Sequence, residues 1–197
     1  MLGSLLLSLS LGTPAFGASV AANQAALQAQ ILTLANLPQA WTITSGSANA
    51  GGVAAGCGGQ PFGASHRIAE AEASFEDPAD LPQLFEQIAV YSSTSTVFQH
   101  GVRAIDRCHT VSIEEGGTKI KIHVAKLTYP GGKKTAAYSL RFKVQSQKVG
   151  IDLIIEQIGN EIVQVSVADA PSPALSEVKP LQSTAIKKIK RSPPAPG

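Results

Sequence analysis

Lys121 and His123 stand two apart in the stretch Thr118–Leu127, and Arg141 and Lys143 stand two apart in Ala137–Gln145. Successive side chains of a strand point to opposite faces, so each pair shares a face. If Pro130-Gly131-Gly132 turns the chain between them, Lys121 falls opposite Arg141 to Lys143 and the basic groups gather on one side. Like charges set opposite each other cost a sheet roughly a few tenths of a kcal/mol. That cost is offset either by acids from neighbouring strands, for which Asp152, Glu156, Glu70 and Glu72 are candidates, or by an anionic ligand. Lys121, His123, Arg141 and Lys143 are therefore the expected ligand-binding residues. Lys119, Asp152, Glu156 and Gln164 are expected on the same polar face.

Other chemistry finds little support. There is no Gly-x-Ser-x-Gly. Ser176-Glu177-Val178-Lys179 matches a Ser-x-x-Lys motif, but Ser47-Ala48-Asn49 and Lys134-Thr135-Ala136 follow the wrong order and lack the glycine of its companions. His66, His100, His109 and His123 lack metal-ligand spacing, and two cysteines alone cannot make a zinc site. His109 beside Cys108 is no ion pair, because adjacent strand residues diverge. Glu114-Glu115 sits in a glycine turn, where water is the usual partner. No metal and no cofactor are expected. An enzyme remains the alternative, a small envelope hydrolase using His123 with Glu156.

The residues above belong to four consecutive strands. Thr118–Leu127 and Ala137–Gln145 alternate with period two, which marks a half-buried sheet. Ile151–Ile158 and Ile162–Ala168 are more apolar and so expected nearer its middle. Lys148-Val149-Gly150 and Gly159-Asn160 supply turn chemistry, and joints this short suit antiparallel neighbours. Upstream, Ile68–Phe75 and Thr110–Ile113 read as further strands. Leu27, Ile31 and Leu34 have helical spacing before Pro38. Asp77-Pro78-Ala79-Asp80 reads as a helix start, with Leu81, Leu84, Phe85 and Ile88 as the buried stripe of a helix ending near Tyr91. A second helix is expected from Thr94 or Ser95 to Cys108, with Phe98, Val102 and Ile105 inward. A last one spans Leu175–Ile189, its basic end (Lys187, Lys188, Lys190, Arg191) favoured by the helix dipole. The fold class is α+β: an antiparallel sheet of about five to seven strands flanked by helices.

The chain has 197 residues and a net charge of +2, enough for one domain plus tails and too little charge to argue for nucleic acid. Leu5–Leu11 followed by small residues reads as a secretory signal peptide over residues 1–21, although no basic residue precedes the apolar run. The domain then spans 23–190, and 191–197 is a disordered proline-rich tail. Cys57, in the glycine-rich stretch 45–63, and Cys108 fit one disulfide in an exported protein. Trp41, the only tryptophan, reads as a packing anchor.

Leu34-Ala35-Asn36-Leu37-Pro38-Gln39-Ala40-Trp41, a cysteine in a glycine-rich loop, the Ala71–Phe75 strand, Arg107-Cys108, Arg141-Phe142 and Ile158–Val163 follow one another in a familiar order. Over roughly residues 25–190 the chain resembles the PknH-like extracellular (sensor) domain family of actinobacterial envelope proteins. The resemblance implies an antiparallel sheet flanked by helices, a PknH-sensor-like α-β sandwich, and a cleft for a ligand. It carries over no site residue. This sequence lacks the extra cysteine pair of the kinase sensors, and no kinase or membrane-spanning segment is read in it. The expected protein is a secreted or envelope-associated, non-catalytic sensor or ligand-binding domain. Its partner would be a small molecule, a lipid or a cell-wall glycan, with peripheral membrane or cell-wall association and no nucleic acid. A protein–protein module using the sheet edge or the 45–63 stretch is the other alternative.

Overall fold

The computed structural model describes residues 15–38, 40–44, 57, 66–77, 82–115, 117–130, 132–144, 146–171, 173 and 175–195. The apolar start up to Pro14 and most of the glycine-rich stretch around Cys57 lie outside these residues. In chain order the elements are α1 (Ala15–Gln30), a 3-10 turn (Leu34–Asn36), β1 (Thr42–Ile43), β2 (Arg67–Glu76), β3 (Gln83–Tyr91) and α2 (Thr94–Asp106). Then come β4 (Thr110–Glu115), β5 (Thr118–Lys126), β6 (Thr135–Val144), β7 (Gln147–Ile158), β8 (Glu161–Asp169) and α3 (Leu175–Arg191).

All strands join one antiparallel eight-stranded sheet in the order β1-β2-β3-β8-β7-β6-β5-β4. The β2–β3 hairpin forms one side. From β3 the chain crosses through α2 to the far edge, then returns by four hairpin steps until β8 docks beside β3. This route puts β3 and β8 side by side inside the sheet, and both are buried along nearly their whole length. The more apolar final strands lie near the middle of the sheet, as their composition requires.

The segment 83–91 is a strand, not the helix expected from Leu84, Phe85 and Ile88. Flanked by β2 and β8, it buries Leu84 and Ile88 on one face and Phe85 and Ala89 on the other. A strand covered on both faces loses its period-two signature, and its apolar run then mimics helical spacing. Its two polar residues have separate partners. The Glu86 carboxylate accepts the Leu32 amide at 2.6 Å, while Gln87 bridges Glu70 and Glu72 on β2 and accepts from Gln164 on β8.

Two hydrophobic layers sandwich the sheet. On one face Leu27 and Ile31 of α1 and Ala185, Ile186 and Ile189 of α3 pack on Ala71, Phe75, Ile88, Val163 and Val165, with Trp41 at the margin. On the other face Val97, Phe98 and Ile105 of α2 pack on Val111, Ile120, Ile122, Val124, Tyr138, Leu140, Leu153 and Ile155. Cys108, just past α2, is bonded to Cys57 with a Cα separation of 5.5 Å. Ser192–Ala195, expected within a frayed tail, folds back instead. Ala195 is buried and donates its amide to Glu161, and Pro193 accepts from Gln30.

Candidate functional site

The pairing His123↔Arg141 puts the alternate residues of β5 and β6 on a common face, and Arg141↔Gly150 and Lys143↔Lys148 extend it to β7. This is the face that α1 and α3 cover. Their apolar contacts fall chiefly on β2, β3 and β8, with single contributions from Ala137 of β6 and Ile154 of β7. At the β4–β5 end the same face is open, and Lys119, Lys121 and His123 are exposed. A sheet half roofed by helices leaves a step, and the polar residues lie at its foot.

The step deepens into a cleft because β5 and β6 part. Their ladder runs only from His123↔Arg141 to Lys126↔Tyr138. Beyond it, residues 118–122 pair with β4 alone and residues 142–144 with β7 alone. Had the ladder continued, Lys121 would face Lys143, a juxtaposition that opposes pairing. Instead the two lysines stand on the prongs of a fork. The concavity there has a volume of about 670 Å³. Its basic lining is Lys121, Arg141, Lys143 and Lys148 with His123 beside them, and its apolar lining is Phe142, Val149 and Pro171. All four residues expected from sequence therefore border one cleft.

They are not equivalent. Arg141 is bound to the buried Asp152 at 2.8 Å and donates to the carbonyls of Leu140 and Ile151 at 3.0 and 3.2 Å. Its charge is already answered, and it forms a fixed floor. The side chains of Lys121, His123, Lys143 and Lys148 enter no hydrogen bond or ion pair among the described residues, whose ion pairs are Arg67–Glu70, Lys126–Asp106, Arg141–Asp152 and Lys190–Glu156. Of the proposed compensating acids, only Asp152 reaches the cluster. Glu156 lies on the same face but pairs with Lys190 at 3.7 Å. Glu70 and Glu72 belong to the opposite face of β2, and Gln164 likewise faces away, hydrogen bonded to Gln87. Asp169, across from Gly150, accepts the Ala170 amide at 2.6 Å.

Lys148 went unrecognised because Lys148-Val149-Gly150 was expected to form a turn. Val144 instead pairs with Gln147, so the strands meet ahead of Lys148, which sits within β7, facing Lys143. The alternation of Lys148, Gly150 and Asp152 against Val149 and Ile151 carried that information. His123 and Glu156 do not form a catalytic pair. The row His123–Arg141–Gly150 lies six residues along β7 from Glu156, about 20 Å at strand spacing. Among the described residues no three His, Cys, Asp or Glu side chains gather as a metal would require. No described helix is long and apolar enough to cross a membrane.

The buried Glu86 is the most perturbed carboxyl. Burial pushes it up to about 7, against the opposing pull of the Leu32 amide and the Lys188 ammonium. Lys188 itself donates to the Ile31 carbonyl, closing α3 on the end of α1. This seam holds the roof of the cleft in place.

No protein-family model matches the chain, and no curated protein is significantly similar to it. Among solved structures, the extracellular domain of PknH from Mycobacterium tuberculosis superposes with a TM-score of 0.63 at 11% identity, covering 86% of this chain and 97% of that one. The chain therefore has the fold of the PknH extracellular domain, as its residue order suggested. At that identity the likeness speaks for architecture alone.

Proposed function

We propose that this protein is an extracytoplasmic, non-catalytic sensor or ligand-binding domain whose fork between β5 and β6 receives an anionic ligand. The observation that carries the reading is the set of uncompensated cations. Lys121, Lys143 and Lys148, with His123 beside them, face one concavity, while the arginine at its floor is matched to Asp152. Unpaired charges of one sign in a recess favour a counter-ion of the other sign. The location outside the cytoplasm is supported by the Cys57–Cys108 bond, by the apolar start of the sequence and by the fold shared with an extracellular domain. A small molecule, a lipid and a cell-wall glycan all remain within this reading if acidic.

The test compares thermal unfolding of wild type with Lys121→Gln/Lys143→Gln across a panel of acidic glycans, phospholipids and small organic acids. Arg141 is unsuited to this purpose, since its removal strands Asp152. The expected result is a wild-type melting temperature raised by at least one anion. The double variant is as stable as wild type or more so without ligand, and insensitive to that anion. A wild type indifferent to every anion would overturn the binding reading.

A further inference from the structure

The fork holds three features that together narrow the ligand further, and the inference rests on the anion-binding reading above. First, its free cations are ammonium groups. Lys143 and Lys148 are directly opposed across β6 and β7, and Lys121 stands on the other prong. An ammonium is a compact point charge that suits phosphate, whereas the planar carboxylate is best met by the guanidinium fork. The guanidinium here is occupied by Asp152. A phosphomonoester brings close to two negative charges and three acceptor oxygens, enough for several ammonium groups at once. Second, among the described residues the lining offers no carboxylate, amide or hydroxyl side chain, so sugar hydroxyls would find only one imidazole nitrogen, that of His123, to donate to. Third, Phe142 and Val149 are paired on the face of β6 and β7 turned away from the lysines, where Phe142 also packs toward the α2 core. With Pro171 they border the same recess where β5 departs, while Val144, two along β6 on their face, is 42% exposed. A bare phosphate ion would leave these apolar residues and most of the 670 Å³ uncovered.

We propose that the fork binds a phosphate-headed amphiphile, its phosphate set across Lys121, Lys143 and Lys148 and its apolar chain along Phe142, Val149 and Pro171. The chemistry is shared by a single lipid molecule and by a headgroup presented at a membrane. The experiment separates the two.

Calorimetric titration of the protein with octyl phosphate below its micelle concentration is compared with octanoate, inorganic phosphate and phosphatidylcholine vesicles containing phosphatidic acid. The expected order places octyl phosphate about tenfold or more tighter than octanoate or inorganic phosphate. Lys143→Gln/Lys148→Gln should weaken octyl phosphate by about tenfold or more. Val149→Ser should weaken octyl phosphate and leave inorganic phosphate unchanged. Lys121→Gln alone serves as the second cationic probe should the double variant fold poorly. Octanoate binding as tightly as octyl phosphate, with loss in the lysine variants, would overturn the phosphate assignment and leave the anion site standing. Inorganic phosphate binding as tightly would remove the apolar chain. Vesicle binding without binding of monomeric octyl phosphate would also overturn the enclosed amphiphile, in favour of a headgroup held in the bilayer. Binding of none of these anions would take down this proposal, and if the acidic-glycan and organic-acid panel also failed, the broader reading with it.

Discussion

At the scale of single residues, charge at the fork divides into structural and free parts. Arg141 and Asp152 form a half-exposed to buried pair at 2.8 Å, and removing one member of a buried pair leaves the other uncompensated. Arg141→Gln is expected to destabilise the protein by about 2 kcal/mol, short of a fully buried pair because the guanidinium is partly solvated. Lys143→Gln should be neutral or slightly stabilising, since it removes a like charge facing Lys148. Urea unfolding of the two variants distinguishes them. Four of these side chains were legible from alternation alone, because a strand's period of two needs no tertiary information. Which of them was free and which was paired was not. That depended on Asp152 of β7 lying diagonal to Arg141, a register set by the pairing of Val144 with Gln147.

Glu86 supplies a pH prediction at the same scale. Its folded pKa, about 7, lies above the unfolded value of 4.5, so the native state holds this proton more tightly. The stabilisation linked to Glu86 is full below pH 4.5 and is lost as pH rises through 7, a loss on the order of 3 kcal/mol. Glu86→Gln keeps an acceptor for the Leu32 amide and removes the charge. The variant should be more stable than wild type above pH 7, and its stability should lack that part of the decline between pH 5 and 8, as followed by chemical unfolding at a series of pH values.

At the scale of elements, the sheet explains both what was readable and what was not. The strands β5 to β8 follow one another with short connections, so local alternation and turn residues define them. Gly159, at φ +59, makes the tight β7–β8 turn that a side chain would resist. The strand β3 could not be read this way. One neighbour, β2, is its hairpin partner, but the other, β8, comes from a distant part of the chain, and burial on both faces erases the pattern that names a strand. The element α2 is fastened to its sheet by more than apolar contact. Tyr138 donates to Asp106 at 3.0 Å, Lys126 reaches the same carboxylate at 2.9 Å, and Cys108 is tied to Cys57. Cys57→Ser/Cys108→Ser opens a loop with a separation of 51 residues, and the chain-entropy model then gives a loss of about 4 kcal/mol. Thermal or urea unfolding of the double variant, set beside reduced wild type, measures it. Tyr138→Phe should cost about 1 kcal/mol, the net worth of one hydrogen bond.

At the scale of the whole molecule, the proposed function rests on an asymmetry of coverage. One face of the sheet is covered by α2, which contacts β3, β7 and β8 and whose apolar cluster extends to β4. The other is roofed by α1 and α3 over β2, β3, β8 and part of β7, and the end left open, with β5, β6 and the start of β7, carries the cations. The roof is held by the Glu86–Leu32 contact, by Lys188 on the Ile31 carbonyl and by the docked residues up to Ala195. The central claim is that ligands enter at this uncovered fork and nowhere else on the sheet. Amide shift mapping of the isotope-labelled chain, titrated with an anion that raises its melting temperature, tests that claim most directly. Shifts are expected to concentrate at Lys121–His123, Arg141–Lys143, Lys148–Gly150 and Ala170, and to be abolished in Lys121→Gln/Lys143→Gln. Shifts centred instead on the hydroxyl-rich start of α2, or on the exposed basic end of α3, with the fork silent, would contradict it.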